Sequence, residues 1–508
     1  MGLYLDIYLK FSILCCLIFS FNSLEAKNLK QVDLKQEDPI VSEVKSKDEV
    51  LLNESLFKKM IENNPPEVQL IEASFLELKR THLAAKDELA LRLDGDAEVY
   101  KSRERQLAPF DAFTQSSSQY NVALVKPTAY GVDLSLKAFA QKSTNVFVSG
   151  ATINGLALGL TVDLFQNFLG RKTKTSLRQT AAGLKRANLE KQTGLKTFES
   201  NLRKIYWSLV ATKEQKALLE SLIKTAEAQL KDAEARLRSG VTDGGEAARF
   251  RSQLSTRKSN LLSLNYQESE YLKSLRSLIP ELDGKTIKLS SYNVEQTIGR
   301  VFECIAVIKT QTEVPFEFTP YDEIVDLMLE EERYEQKILS AYNDPKILLV
   351  GEYSNVGKDF SYADARQDFS SDPRDRSRLA LTLSMPLDGS KTRTKDVAKL
   401  AAKNKYISMA QSNLAKVKSF HTETIIIIET LHEILNSQKD TSKYLGISLD
   451  VSRRKFNQGR ISLQELISEQ DSHIQNKLNE INSNLTIIKT LIDYFSIYTE
   501  TPCDFNRI

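Results

Sequence analysis

From Leu195 to Ser239 the chain runs for 239 − 194 = 45 residues without a glycine or a proline. Within that run Leu195, Leu202, Leu209, Ile223, Leu230 and Leu237 recur at sevens, with Phe198, Ile205, Leu219, Ala226 and Ala233 in the second seam position and interruptions at Thr212 and Lys216. That is a coiled-coil pattern, and a helix of such length exceeds the width of a small domain. It ends in RLRSGVTDGGE (236–246), after which helical periodicity resumes with Phe250, Leu254, Leu261, Leu264, Tyr271, Leu275 and Leu278 inward. RKFNQGRISLQE (454–465) does the same near the other end of the chain. Placing Gly240 on Gly459 gives an offset of 459 − 240 = 219 residues, and Glu246 then falls on Glu465 and Asp243 on Ser462.

The offset holds ahead of the helices as well. GLALGLTVDLFQNFLGRKTKT (155–175) precedes the first and RLALTLSMPLDGSKTRT (378–394) the second, with Gly170 and Gly389 again 219 apart. Leu156, Leu158, Leu160, Val162 and Leu164 alternate with small or polar residues, as do Leu379, Leu381, Leu383 and Met385. Period-two alternation means strands with one apolar and one polar face. The chain is therefore a duplication of strands, a very long helix and a shorter returning helix.

Each tip reads as a helical hairpin. Gly240 and Gly459 stand where a helix-ending residue takes positive φ, which glycine adopts at least cost. Asp243 and Ser462 are in N-cap position with Glu246 and Glu465 three residues on, so both tips carry a capping-box pattern. The GVTDGGE turn lacks the residues of a phosphate or calcium loop.

Composition narrows the function. With 69 Lys+Arg against 67 Asp+Glu the chain is nearly neutral, which sets nucleic acid aside. The four histidines, His82, His421, His432 and His473, are scattered singly on helical patterns, so no metal or other cofactor is expected. No nucleophile elbow, Ser-His-Asp order or Cys-x-x-Cys occurs, so no catalytic residue is assigned and an enzyme is not expected. Lys10 and FSILCCLIFSF (11–21) before NSLEA read as a signal peptide cut after Ala26, and 27–50 as a polar disordered segment. No other apolar run reaches the ~20 residues of a spanning helix, so a membrane would be entered with strands.

Two copies of this plan behind a signal peptide resemble the TolC-like outer-membrane efflux family over roughly residues 52–500. The resemblance rests on ENNPPEV (62–68), DPKILLVGEYSN (344–355), LSMPLDGSKTR (383–393), and the basic-x-x-x-Gly tips Arg236…Gly240 and Lys455…Gly459. Asn167 departs from it, standing where Pro386 predicts proline, and the first strand region (93–169) is longer than the second and carries three alternating stretches.

The implied fold is α+β, mainly α. Repeat one is 51–279: an ascending helix, strands within 93–169, a long helix over 171–239 and a returning helix over 243–279. Residues 280–318 are an equatorial linker. Repeat two is 319–498: helix 319–343, strands 345–388, helices 390–458 and 462–498. A C-terminal tail, 499–508, follows. One strand pair per repeat gives four strands per chain, and a homotrimer would close a twelve-stranded barrel in outer-membrane lipid above a periplasmic α-helical barrel. Leu156 to Leu164 would face lipid, Thr161 and Asp163 the lumen.

The implied function is an exit duct of an efflux or type I secretion system, joined through a periplasmic adaptor to an inner-membrane pump; a pore-free periplasmic coiled-coil protein is the alternative. By family position Glu246 and Glu465 ring the periplasmic mouth, though both also serve as caps. Arg236, Arg238, Gly240, Lys455, Gly459 and Arg460 would form the adaptor-facing tip. Cys304 and Cys503, the two cysteines left after signal cleavage, are either disulfide-bonded or free.

Overall fold

A computed structural model describes residues 49–103, 114–145, 150–240, 244–310, 319–341, 344–385, 387 and 390–498. The signal peptide, the polar segment up to residue 48, Asp243, Pro386, Cys503 and the tail lie outside the described residues. Repeat one opens with β1 (Glu49–Leu52), α1 (Glu54–Glu62) and α2 (Pro66–Asp87). Strands β2 (Arg92–Lys101), β3 (Thr114–Pro127), β4 (Val132–Asn145) and β5 (Ala151–Asp163) follow, then α3 (Arg171–Arg238) and α4 (Gly244–Leu278). Between the repeats stand β6 (Thr286–Leu289) and α5 (Val294–Thr310). Repeat two has α6 (Pro320–Ser340), β7 (Lys346–Asp359), the short α7 (Tyr362–Ser371), β8 (Arg374–Ser384), α8 (Ser390–Asn457) and α9 (Leu463–Ile497).

The helical hairpins match residue for residue: 390 − 171, 457 − 238, 463 − 244 and 497 − 278 are all 219. Each long helix has 68 residues and so runs about 100 Å at 1.5 Å per residue. In α3 the seam positions Leu202, Leu209, Leu219, Ile223, Ala226 and Ala233 are buried, while Leu237 beside the tip is exposed. Asn167, the departure from the family pattern, has taken over helix initiation: its Oδ1 accepts the backbone N–H of Lys172 and of Thr173, each at 3.0 Å.

The strands correct the sequence reading. One six-stranded sheet runs β2-β3-β4-β5-β7-β8, every neighbour antiparallel, so repeat one supplies four strands and not a pair. The start of β2 and the start of β7 differ by 346 − 92 = 254, which exceeds the helical offset by 254 − 219 = 35 residues. Those residues hold the additional hairpin. It escaped the periodicity because the apolar face of β2 is Leu93, Gly95, Ala97 and Val99, half of it too small to stand out.

Following the ladders across the sheet puts one set of residues on one face. These are Leu93 and Val99; Tyr120, Val122 and Leu124; Leu134 and Leu136; Leu156, Leu158 and Leu160; Tyr353; Leu379, Leu381 and Leu383. All are exposed. On β4 this apolar row runs from Val132 to Ala140, about 27 Å along the strand. The opposite face of β5 is built small, with Gly155, Ala157 and Gly159, and a side chain at Gly155 would strike the Phe139 ring at 2.7 Å. At the far end of the sheet α7 covers the polar row above the leucines: Asn154 Nδ2 donates to the Tyr362 carbonyl at 2.9 Å, and Gly357 lets the helix backbone approach.

The largest core lies where the linker meets the middle of the helices. Leu52, Phe57, Leu202, Leu275, Ile308, Ile428, Ile487 and Leu491 are essentially inaccessible, and β1 pairs in parallel with β6 beside them. Glu54 ties this belt to α3, accepting from Trp207 Nε1 at 2.5 Å and from the Arg203 guanidinium at 3.1 and 3.2 Å. Above the belt α6 packs on α3, and the Arg186 guanidinium chelates Glu331 at 2.6 and 3.2 Å. Burial works against the Arg186 charge, yet Glu331 and Glu190 together hold its pKa above the ordinary arginine value.

Candidate channel wall and periplasmic tip

The tips are built by backbone chemistry. Gly240 has φ +69° and Gly459 φ +68°, and a Cβ on either would meet nothing within 4 Å. At the second tip Gly459 N–H donates to Phe456 O at 2.9 Å and Arg460 N–H to Lys455 O at 2.8 Å, which is the Schellman pair. At the first, Gly240 N–H donates to Leu237 O at 3.0 Å. Ser462 and Glu465 form a reciprocal capping box: Ser462 N–H donates to Glu465 Oε2 at 2.9 Å, and Glu465 N–H to Ser462 Oγ at 3.2 Å. The corresponding Asp243 lies outside the described residues, and Glu246 is half-buried as the third residue of α4.

The basic tip residues divide. Arg238, Lys455 and Arg460 are exposed beside Gly240 and Gly459. Arg236 is engaged: it pairs with Asp232 at 2.8 Å and lies 5.7 Å above the Phe456 ring of the other hairpin. Phe456 in turn meets Phe250 edge-on at 6.5 Å, over a small core of Ala233, Phe250 and Leu463. Arg236 is therefore part of the joint between hairpins.

A second part of that joint was missed by sequence reasoning, because one arginine on a charged helix carries no signal. Arg257 of α4 is 4% exposed. Its Nη1 donates to Leu222 O at 3.1 Å and its Nη2 to Gln470 Oε1 on α9 at 3.2 Å, with Asp471 3.8 Å away. Burial pulls its pKa below the ordinary arginine value; Asp471 opposes that and Arg453 adds to it. Arg257 Nε, Gln470 Nε2 and Gln253 Oε1 are buried without partners.

The remaining sequence-predicted residues play packing roles. His82 contacts Thr180 at 3.0 Å, His421 contacts Tyr494 at 3.1 Å, and His432 stacks on Phe302 with ring centroids 3.9 Å apart. Among the described residues no group of three potential ligands gathers to hold a metal. Cys304 is buried and disulfide-bonded, and Cys503 lies outside the described residues. Among the described residues no helix is long and apolar enough to cross a membrane; the leucine face of the sheet is exposed. Thr161 and Asp163 lie on the opposite face, and Asp163 Oδ1 accepts the Phe165 N–H at 3.1 Å.

No family model and no curated protein matches this chain by sequence. Solved structures match it by shape. CusC, whose structures bear on folding and transmembrane channel formation, matches at TM-score 0.65 and 12% identity over 88% of this chain and 92% of that one. The outer-membrane protein VceC of Vibrio cholerae matches at 0.62 and 13%, over 88% and 97%. The CmeC outer-membrane channel of Campylobacter jejuni matches at 0.63 and 12%, over 93% and 96%. The fold is thus that of the outer-membrane channels. Within that class it is the TolC-like fold, as the duplicated hairpins led one to expect.

Proposed function

We propose that three copies of this chain form the outer-membrane exit duct of a tripartite efflux or type I secretion system in a Gram-negative bacterium. The observation that carries this reading is the joining, in one chain, of a sheet with a lipid-fit apolar face to two helical hairpins about 100 Å long. The sheet has two free edges, β2 and β8, which lipid cannot accommodate, so it has to close with further copies. The hairpins then project into the periplasm, where the exposed Arg238, Lys455 and Arg460 meet an adaptor that couples to an inner-membrane pump. Conduction needs no catalytic residue.

Glu246 and Glu465 ring the mouth as caps and as charge. Two carboxylates per chain in three copies make 2 × 3 = 6, a ring that draws cations. The test is planar-bilayer recording of the purified protein and of a Glu246→Gln/Glu465→Gln variant, which keeps side chains able to cap. The parent should conduct with cation preference, and the variant should assemble, conduct and lose that preference. A protein that fractionates with soluble periplasm and never conducts returns the reading to a pore-free coiled coil; a variant with unchanged selectivity leaves the duct standing and reduces the two residues to caps.

A further inference from the structure

The two free edges of the sheet are oppositely charged. On β2, Asp94, Asp96 and Glu98 stand at alternate positions on the face away from the leucines, and on β8, Arg374, Arg376 and Arg378 do the same on that same face. Every one of the six is exposed. Some are lightly engaged within the chain: Arg92 reaches Asp94 at 3.0 Å, Asn121 donates to Asp96 at 2.6 Å, and Arg374 lies 3.4 Å from Asp368. The side chains of Glu98, Arg376 and Arg378 have no ion-pair partner among the described residues. Two charge ladders of equal length, period and opposite sign, each on an edge with unpaired backbone groups, fit one occupant: the other edge of a second copy of this chain.

We infer that the duct closes by antiparallel pairing of β8 of one protomer with β2 of the next, the Asp94-Asp96-Glu98 row meeting the Arg374-Arg376-Arg378 row on the lumen face. This rests on the trimeric reading above and adds to it a register class and a strand number. Running antiparallel, the rows meet as Asp94 with Arg378, Asp96 with Arg376 and Glu98 with Arg374. The same register sets Leu93 opposite Leu379 on the lipid face, so both faces agree. Ring closure then counts 3 × 6 = 18 strands, and since diameter grows roughly linearly with strand number the barrel is about half again as wide as a twelve-stranded one. The sign pattern also enforces polarity: β2 against β2 or β8 against β8 would oppose like charges, so head-to-tail closure is selected.

The experiment uses the full chain in outer membranes. Reversing one row (Asp94→Arg, Asp96→Arg and Glu98→Arg together) or the other (Arg374→Asp, Arg376→Asp and Arg378→Asp) should lower the yield of detergent-stable oligomer about tenfold, three cross-strand pairs being lost. Combining both reversals should restore it. Because reversed chains can fail to insert, a second readout keeps the charges largely intact: an Asp96→Cys/Arg376→Cys chain should give disulfide-linked trimers on non-reducing gels, absent from the parent. Reversals without effect, a combined variant no better than either alone, or no crosslink within a stable trimer would overturn the seam while leaving the duct. A parent that forms no membrane oligomer would overturn the duct itself and the seam with it.

Discussion

Repeat one and repeat two agree in their helices and disagree in their strands. Each hairpin has a 68-residue limb and a 35-residue limb at one constant offset, while the strand region of repeat one is 35 residues longer. The difference follows from how each part is constrained. The tips of both hairpins must end level, because Arg236, Phe250 and Phe456 join them there; one turn added to a single limb would carry a tip about 5.4 Å out of step. A meander sheet has no such requirement. A hairpin inserted between neighbours lengthens the wall and leaves every other ladder intact.

The largest expected effect separates the two ascending helices. Matching them by the strands they enter, Glu331 of α6 falls on Glu77 of α2, since 331 − 254 = 77. Glu331 is 4% exposed against Arg186, whereas Glu77 is paired with Arg80 in the open, and each lowers or raises the other's pKa as an exposed pair does. Glu331→Ala leaves the Arg186 guanidinium, whose side chain is 16% exposed, with Glu190 as its remaining carboxylate, and should cost about 2–3 kcal/mol in chemical denaturation. Glu77→Ala should cost under about 1 kcal/mol. Equal costs would mean that a neighbouring copy covers α2 as α3 and α8 cover α6, which would sharpen the comparison into one between intra- and intermolecular packing.

At the tips the repeats should behave alike. Gly240→Ala and Gly459→Ala each force a side chain into left-handed φ with free space around it, so the cost is backbone strain alone, about 1 kcal/mol at either site. Hydrogen exchange of the flanking helix ends measures it. A clearly larger cost at one site would show that its turn bears on the neighbouring hairpin, and the tips would no longer be equivalent.

What the sequence disclosed follows the same division. Helical seams of Leu and Ile at sevens and two glycine turns survive as strong signals, so the hairpins and the capping box at Ser462 and Glu465 were legible. Strands facing a lumen lose half their positions to polar residues, and β3 (TQSSSQYNVALVKP) shows its apolar face only from Tyr120 onward. That polar start of β3, together with the small apolar face of β2, hid the first hairpin of repeat one. The edge ladders were present in DGDAE and RDRSR as charges at every second residue, a period that belongs to strands. Arg257 had no such period, and only the approach of α9 makes it a joint.

The smallest expected effect concerns acid. Offsetting by 219 sets His421 of α8 on Leu202 of α3, and His473 of α9 on Leu254 of α4, so repeat two carries imidazoles where repeat one carries leucines. Burial lowers the pKa of both histidines, and Lys477 and Arg453 lower that of His473 further. The folded state thus prefers the neutral ring, and the unfolded chain binds protons more readily, near pH 6.5. Their contribution to stability is complete above that value and is lost as pH falls from about 6.5 toward the depressed folded values. Carboxylates act in both repeats, so the readout is a difference: between about pH 7.5 and 5.5, amide exchange corrected for its intrinsic rate should accelerate in α8–α9 more than in α3–α4. His421→Leu with His473→Leu, which installs the residues of repeat one, should remove that difference even though the Tyr494 contact is lost. If α8–α9 still loosens preferentially in acid, the asymmetry between the repeats does not lie in these two rings.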